Sequence, residues 1–244
     1  MPELVAESFS PWSEKARWAL DHHRIRYRYR EYVPVIDEPW LRWRLGAFAS
    51  RVSTPTLLAD DANRRDSYEI AEYAERHGSG VPLFPADHVA AITTWNACSE
   101  TALAAGRVRV VARMAEVPGA TTAMVPPGIP AALQPVLAGA AGATFAYLRW
   151  KYGFGTDVAA NDEHLRTALE DLRAALAGRT YLFGELTYAD IAMAVVLQMV
   201  RPVADTYIRL APVVRTVWTN EPLAIDFADL VEWRDRLYAE HRGA

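Results

Sequence analysis

The apolar positions of the chain change period near residue 80. Before that point, short apolar runs of strand type alternate with stretches of helical type. Beyond it only the helical period is left. Leu4-Val5-Ala6 is a short apolar strand that leads through Ser8-Phe9-Ser10-Pro11-Trp12-Ser13 into a helix whose positions 12, 16, 19 and 20 share one face. From Arg24 to Arg30 arginines alternate with Ile25, Tyr27 and Tyr29, the pattern of a half-buried strand. Residues 35–53 contain a helix around Trp40-Leu41-Arg42-Trp43-Arg44-Leu45 that stops near Gly46. Thr54-Pro55-Thr56-Leu57-Leu58 opens a strand, residues 60–63 make a turn, and Arg64-Arg65-Asp66 is a short return strand. The next helix covers residues 67–76, with Asp66 as its N-cap and Glu69 completing a capping box. His77-Gly78-Ser79-Gly80-Val81-Pro82 carries helix-stopping chemistry.

The order is therefore β-α-β-α-β-β-α, followed by a linker through Pro85. After Asp87, residues 88–115, 133–152, 162–177, 188–209 and 226–241 read as helices. Residues 117–142, rich in Pro, Gly, Ala and Thr, read as an extended loop or broken helix. The expected architecture is a small α/β domain over residues 1–80 and an all-α domain over residues 88–244.

Composition narrows the classes without choosing among them. With 244 residues, 51% hydrophobic and 23% charged, the chain can bury a substantial core. A net charge of -4 gives no reason to expect nucleic acid. The arginines of residues 24–30 accordingly read as the charged outer face of an edge strand. The single cysteine, Cys98, excludes an internal disulfide framework and fits a reducing, cytoplasmic compartment. It lies in a helical stretch and reads as packed. No signal peptide is readable, and no apolar run is long enough to span a bilayer. His22-His23 ends a helix, and no metal-ligand spacing accompanies it.

Three places carry candidate chemistry. Ser10 and Ser13 lie at the mouth of a helix with Pro11 at its first position, where the missing N–H is no loss. A helix N-terminus with free N–H groups is a ready seat for an anion. No G-x-S-x-G turn surrounds Ser10, so a hydrolase nucleophile is disfavoured and a hydroxyl donor to a bound anion is favoured. Thr54-Pro55 opens a strand, where proline is tolerated, but this dipeptide alone does not specify a cis bond. Asp66-Ser67 begins a helix. On these residues alone simple N-capping is the favoured reading, although the same groups can hold a ligand's carboxylate and ammonium.

Taken in this order, the three features resemble the glutathione transferase superfamily over most of the chain. Ser10-Pro-Trp-Ser-Glu-Lys-Ala-Arg is similar to the helix start of the tau and omega classes, although the class is not assignable. Ser67-Tyr-Glu-Ile-Ala-Glu-Tyr is similar to the family's Ser-x-x-Ile-x-x-Tyr. In the helical part, Tyr181-Leu182-Phe183-Gly184-Glu185-Leu186-Thr187-Tyr188-Ala189-Asp190-Ile191-Ala192 resembles its C-terminal signature. There Thr187 and Asp190 form a capping box, and Leu186 and Ile191 form a hydrophobic staple. The resemblance implies a thioredoxin-like N-terminal domain, an all-α C-terminal domain and a cytoplasmic homodimer.

It further implies glutathione as co-substrate, and a detoxification-type transfer of its thiol to a small apolar electrophile. By the same resemblance Thr54 pairs its backbone with the cysteinyl part beside a cis Pro55, Asp66 and Ser67 hold the γ-glutamyl end, and Ser10 donates to the sulfur, with Ser13 competing. Trp12, Tyr147, Trp150 and Tyr152 are candidate pocket aromatics, for each of which core packing is an equal alternative. Val52-Ser53-Thr54-Pro55 departs from the family's Gly-Lys/Gln-Val-Pro, so the usual residue for the glycine carboxylate is not present, and Arg51 is the candidate in its place. The Pro-rich stretch from Pro126 to Pro135 has no clear counterpart. The competing expectation is a non-catalytic ligand-binding or interaction module on the same fold. A disulfide or peroxide reductase is disfavoured, because serine forms no mixed disulfide.

Overall fold

The computed structural model describes residues 1–34, 36–48, 52–124 and 157–243. The first seventy-odd residues build a three-stranded mixed sheet with helices on both faces. The elements are β1 (Glu3–Ala6), α1 (Pro11–His22), β2 (Arg28–Glu31), α2 (Glu38–Leu45), β3 (Thr56–Leu58) and α3 (Ser67–His77). The strand order is β2-β1-β3, with β2 parallel and β3 antiparallel to β1. The central strand is wholly apolar because both its faces are covered: Leu4, Val5 and Ala6 are fully buried. Val5 and Leu58 point to the α2 side and pack with Tyr32, Leu41, Ala47 and Val52. By alternation Leu4 and Leu57 point to the other face, where α1 and α3 pack together.

Side chains of α1 and α3 supply that second layer. Trp18, Leu20 and Ile70 are fully buried, each contributing about 2–3 kcal/mol of hydrophobic burial. The arginine-rich segment forms strand only from Arg28 and lies at the sheet edge with three of its four residues exposed. Arg30 stacks over the Trp40 ring at 3.7 Å and pairs with Asp37 at 3.2 Å. The expected return strand is reduced to one bridge, in which Leu57 and Arg64 exchange both backbone hydrogen bonds at 2.9 Å. Gly46 closes α2 in the left-handed region, at a φ of 59°, as its C-cap position requires.

His23, the C-cap of α1, is buried with its Nε2 2.9 Å from Glu75 Oε2. Burial lowers its pKa below the ordinary value, against the opposing pull of Glu75. The unfolded imidazole therefore binds its proton more readily, so stability falls as the pH drops through about 6.5. Urea midpoints are expected to fall less on acidification in His23→Gln than in the native chain. Equal falls in both proteins would exclude this source.

The rest of the described chain is helical: α4 (Val89–Glu116), α5 (Val158–Leu176), α6 (Tyr188–Val196), α7 (Pro212–Trp218), α8 (Glu221–Asp226) and α9 (Ala228–His241). Short 3-10 turns occupy Ala86–His88, Thr122–Met124 and Leu197–Met199. The helix expected over residues 133–152 lies outside the described residues, as do most of 117–142. None of the described helices is long and apolar enough to cross a membrane. By contact, the chain divides into two compact units. One is Met1–Ala97 with Ala175–Val195 and Trp233–Ala244, and the other is Cys98–Ala174 with Val196–Glu232.

Two helical expectations are corrected. The helix expected over 188–209 ends at Val196, passes through the 3-10 turn and stops before Pro202, where proline brings no N–H. Gln198 Oε1 then accepts the Val203 N–H at 2.7 Å, completing the exit from the helix. The segment between the helices expected over 188–209 and 226–241, for which no element is predicted, holds α7 and α8. Each has a proline in its first turn, Pro212 and Pro222, and Asn220 caps α8 through the Leu223 N–H. In α4, Gly106 is required by close approach, since a Cβ there would sit 2.5 Å from the Met199 side chain. Cys98 is half-buried, and burial raises its thiol pKa, the behaviour of a packed cysteine.

The signature around Thr187 is built as a buried junction. Asp190 Oδ2 accepts from the Thr187 N–H at 2.8 Å and from its hydroxyl at 2.7 Å, and Asp190 Oδ1 accepts from the Leu182 N–H at 2.8 Å. The Thr187 hydroxyl thus donates to the carboxylate, and Asp190 organises both the helix start and the preceding turn. The Tyr188 N–H donates to Leu83 O, and Tyr188 stacks on Phe84, which places α6 against the segment after α3.

Candidate functional site

The register of the sheet collects the candidate residues at one end. Val5 pairs with Thr56, so the end of β1 and the start of β3 are level. Residues 7–10, which follow β1, therefore lie beside Thr54-Pro55, which precede β3. The Thr54 hydroxyl donates to Glu7 Oε2 at 3.3 Å. The Leu57–Arg64 bridge returns the chain antiparallel to β3, which brings Asp66 and Ser67 back to the level of Pro55. Two helix N-termini, those of α1 and α3, thus open at the same sheet end.

Around Ser10 the backbone is held on both sides. Its N–H donates to Glu7 O at 3.1 Å, and its carbonyl accepts the Glu14 N–H at 2.9 Å. Pro11 begins the helix, and Ser10 occupies the N-cap in extended conformation. Its hydroxyl makes no capping bond, unlike most N-cap serines, so the O–H is not committed to the helix. Ser13, by contrast, is fully buried, and its Oγ accepts the Glu7 N–H at 3.2 Å. The two serines therefore differ in kind. Ser13 ties down the loop that presents Ser10. Trp12 lies half-buried beside them.

The Thr54–Pro55 peptide is cis, which the dipeptide did not specify. Asp66 is exposed, and its carboxylate accepts the Glu69 N–H at 2.8 Å. Glu69 returns a bond to the Arg65 N–H at 2.8 Å, one residue before the position that a standard capping box uses. Ser67 is 1% exposed, and its Oγ has no hydrogen-bond partner among the described residues. A buried hydroxyl left unpaired costs about 1–3 kcal/mol, which is unusual at a helix N-terminus rich in partners.

Other side chains hold the loop, and sequence reasoning missed them. The Ser8 N–H and hydroxyl donate to Glu31 Oε1 at 3.0 and 3.2 Å. Tyr29 donates to the other Glu31 oxygen at 2.9 Å, and burial followed by the Glu31 bond holds its phenol well above the ordinary range. Arg17 donates to Ser8 O at 3.1 Å and to Glu14. These partners lie up to 23 residues apart, so no local motif announces them. Arg51 lies outside the described residues, as do Tyr147, Trp150, Tyr152 and the stretch from Pro126 to Pro135.

Residues 9–77 match the family described as glutathione S-transferase, N-terminal domain. No curated protein matches by sequence. Among solved structures, the chain is similar to a glutathione S-transferase from Methylobacillus flagellatus KT with glutathione bound, at 17% identity and a TM-score of 0.60, covering 98% of this chain and 95% of that one. A glutathione transferase, GSTFuA2, from Phanerochaete chrysosporium aligns at 14% identity and a TM-score of 0.65, over 100% and 99% of the two chains. A glutathione transferase family member from Pseudomonas fluorescens Pf-5, with S-(propanoic acid)-glutathione bound, aligns at 16% identity and a TM-score of 0.60 over the full length of both. At these identities the structural likeness shows the fold. It comprises the thioredoxin-like N-terminal domain with its small mixed sheet, and the helical C-terminal part.

Proposed function

We propose that this chain, which carries a glutathione S-transferase N-terminal domain on the glutathione transferase fold, binds glutathione and activates its thiol for attack on small apolar electrophiles. One observation carries the reading. Ser10 and Ser67 start two helices at the same end of the sheet, the Ser10 hydroxyl makes no capping bond, and the Ser67 hydroxyl has no partner among the described residues. A tripeptide with an anionic sulfur at one point and a carboxylate at another supplies both missing acceptors.

In this reading residues 1–80 bind glutathione and residues 88–244 supply the second-substrate pocket. The α3 N–H groups and the Ser67 hydroxyl hold the γ-glutamyl carboxylate, and exposed Asp66 holds its ammonium. The Thr54 backbone beside Pro55 pairs with the cysteinyl unit. The Ser10 O–H and the positive end of α1 favour thiolate over thiol, and the thiolate is the nucleophile. Lowering the thiol pKa by about two to three units corresponds to about 3–4 kcal/mol. The thiolate forms a bond to the electrophilic carbon as the leaving group departs with the electron pair of the broken bond or, in an addition, as the π pair shifts to the neighbouring atom of the substrate and takes up a proton from water. A homodimeric, cytoplasmic enzyme of detoxification type belongs to the same proposal.

Ser67→Ala tests the binding half. Removing a hydroxyl donor to a carboxylate is expected to weaken glutathione binding about 10- to 100-fold by calorimetry, with turnover at saturation little changed. Failure of the native protein to bind millimolar glutathione would sink the enzyme reading and leave the interaction module.

A further inference from the structure

We infer that Arg242 is a positioning residue for the Ser10 loop, acting through the buried carboxylate of Glu14 and the guanidinium of Arg17. The inference rests on the reading of Ser10 given above. Glu14 stands one helical turn from Ser10 and is fully buried. Each of its oxygens has its own cation. Oε1 accepts from Arg242 Nε at 2.7 Å, and Oε2 accepts from Arg17 Nη2. Arg242 also donates through Nη1 to Asp21 at 2.9 Å, which fixes its plane against α1. Burial works to lower the Arg242 pKa, and Glu14 with Asp21 overcome it and hold the group above its ordinary value.

The consequence lies in the nitrogen that Arg17 uses. The same Nη2 that serves Glu14 also donates to Ser8 O at 3.1 Å, two residues before Ser10. A fully buried carboxylate must have its charge met on both oxygens. While Arg242 covers Oε1, Arg17 is left on Oε2 and within reach of the loop. Without Arg242, the two-pronged arrangement on both carboxylate oxygens becomes the better one for Arg17. Taking it draws Nη2 away from Ser8 O. The loop keeps its bonds from Ser8 to Glu31 and from the Glu7 N–H to Ser13 and loses the clamp on the Ser8 carbonyl, so Ser10 presents its O–H over a wider range of positions. Arg242, 228 residues from Glu14 in sequence, thereby sets how well the thiolate donor is aimed.

Arg242→Ala, Arg242→Lys and, as control, exposed Arg236→Ala on helix α9, which ends one residue before Arg242, test this. Three readouts are taken: the pKa of protein-bound glutathione from thiolate absorbance, glutathione affinity by calorimetry, and amide hydrogen exchange. Arg242→Ala is expected to raise the bound thiol pKa by about one unit and to leave affinity within about twofold. It is also expected to speed exchange at the Ser8 and Ser10 amides about tenfold over that of α3. Arg242→Lys, which cannot span both Glu14 and Asp21, gives a smaller shift in the same direction, and it serves as the test if the alanine variant does not fold. Arg236→Ala changes nothing. An unchanged thiol pKa in a folded Arg242 variant overturns the inference, as does faster exchange spread evenly over α1. If the native protein binds no glutathione, the functional reading fails, and the exchange measurement still decides whether Arg242 orders the loop.

Discussion

Ser10→Ala is expected to lower kcat/KM for conjugation about 100-fold while leaving glutathione affinity within about twofold. The size follows from losing one hydrogen-bond donor aimed at a developing or resident negative charge, worth about 3 kcal/mol at a site shielded from water. The split between affinity and rate follows from geometry. In the proposed function the Ser10 hydroxyl bears on the sulfur alone, whereas the γ-glutamyl contacts reside on α3. The bound thiol pKa should rise by one to two units, about 1.4 kcal/mol per unit, so the loss narrows as the assay pH is raised. Ser13→Ala is the informative comparison. It removes the acceptor of the Glu7 N–H beneath the loop, so it should cost stability of about 1–2 kcal/mol and a smaller loss of rate. Equal activity of both variants with the native protein would assign activation to the backbone and the helix dipole.

Asp190→Ala is expected to have the largest effect on stability, about 3–4 kcal/mol in urea unfolding, with no direct effect on the site. Its carboxylate accepts from two buried N–H groups and one hydroxyl, and alanine leaves all three donors unpaired. The pH dependence has a defined sign. Burial raises the Asp190 pKa above the ordinary value, against the bonds from Leu182 and Thr187. The folded state therefore holds this proton more tightly than the unfolded state. Its contribution is greatest below about pH 4 and is lost as the pH rises through the folded pKa. Asp190→Asn abolishes that dependence. A native protein and an asparagine variant with parallel pH profiles would exclude it.

How much was legible depended on how far each feature reaches along the chain. The helix from Ser67, the stop at Gly46 and the junction at Thr187-Asp190 are local devices, written within three or four residues, and each appears where its pattern predicts. The helix expected over 188–209 failed for the opposite reason. Its apolar run continues past Val196, and only Pro202 and the buried Gln198 amide show where the chain turns away. The helices at Pro212 and Glu221 are too short for periodicity to register, and their local marks were a proline in each first turn and the Asn220 cap before the second.

At the site, residue types were readable and their states were not. Ser10, Ser13, Thr54, Asp66 and Ser67 were named from motifs. That Ser13 is spent on Glu7 and that Ser10 and Ser67 are not spent on the fold came from the folded chain, whereas the cis Thr54–Pro55 bond, unspecified by the dipeptide, is the one that the family resemblance implies. The sequence by itself determined the elements from β1 to α3 and the chemistry stationed at their helix starts, because capping and periodicity are short-range. Only the tertiary structure decided which hydroxyls remain available and which charges hold the loop. Hydrogen-bond partners such as Glu31 for Ser8 and Arg242 for Glu14 are brought together by packing across 23 and 228 residues, and no local pattern encodes a distance that the fold alone creates.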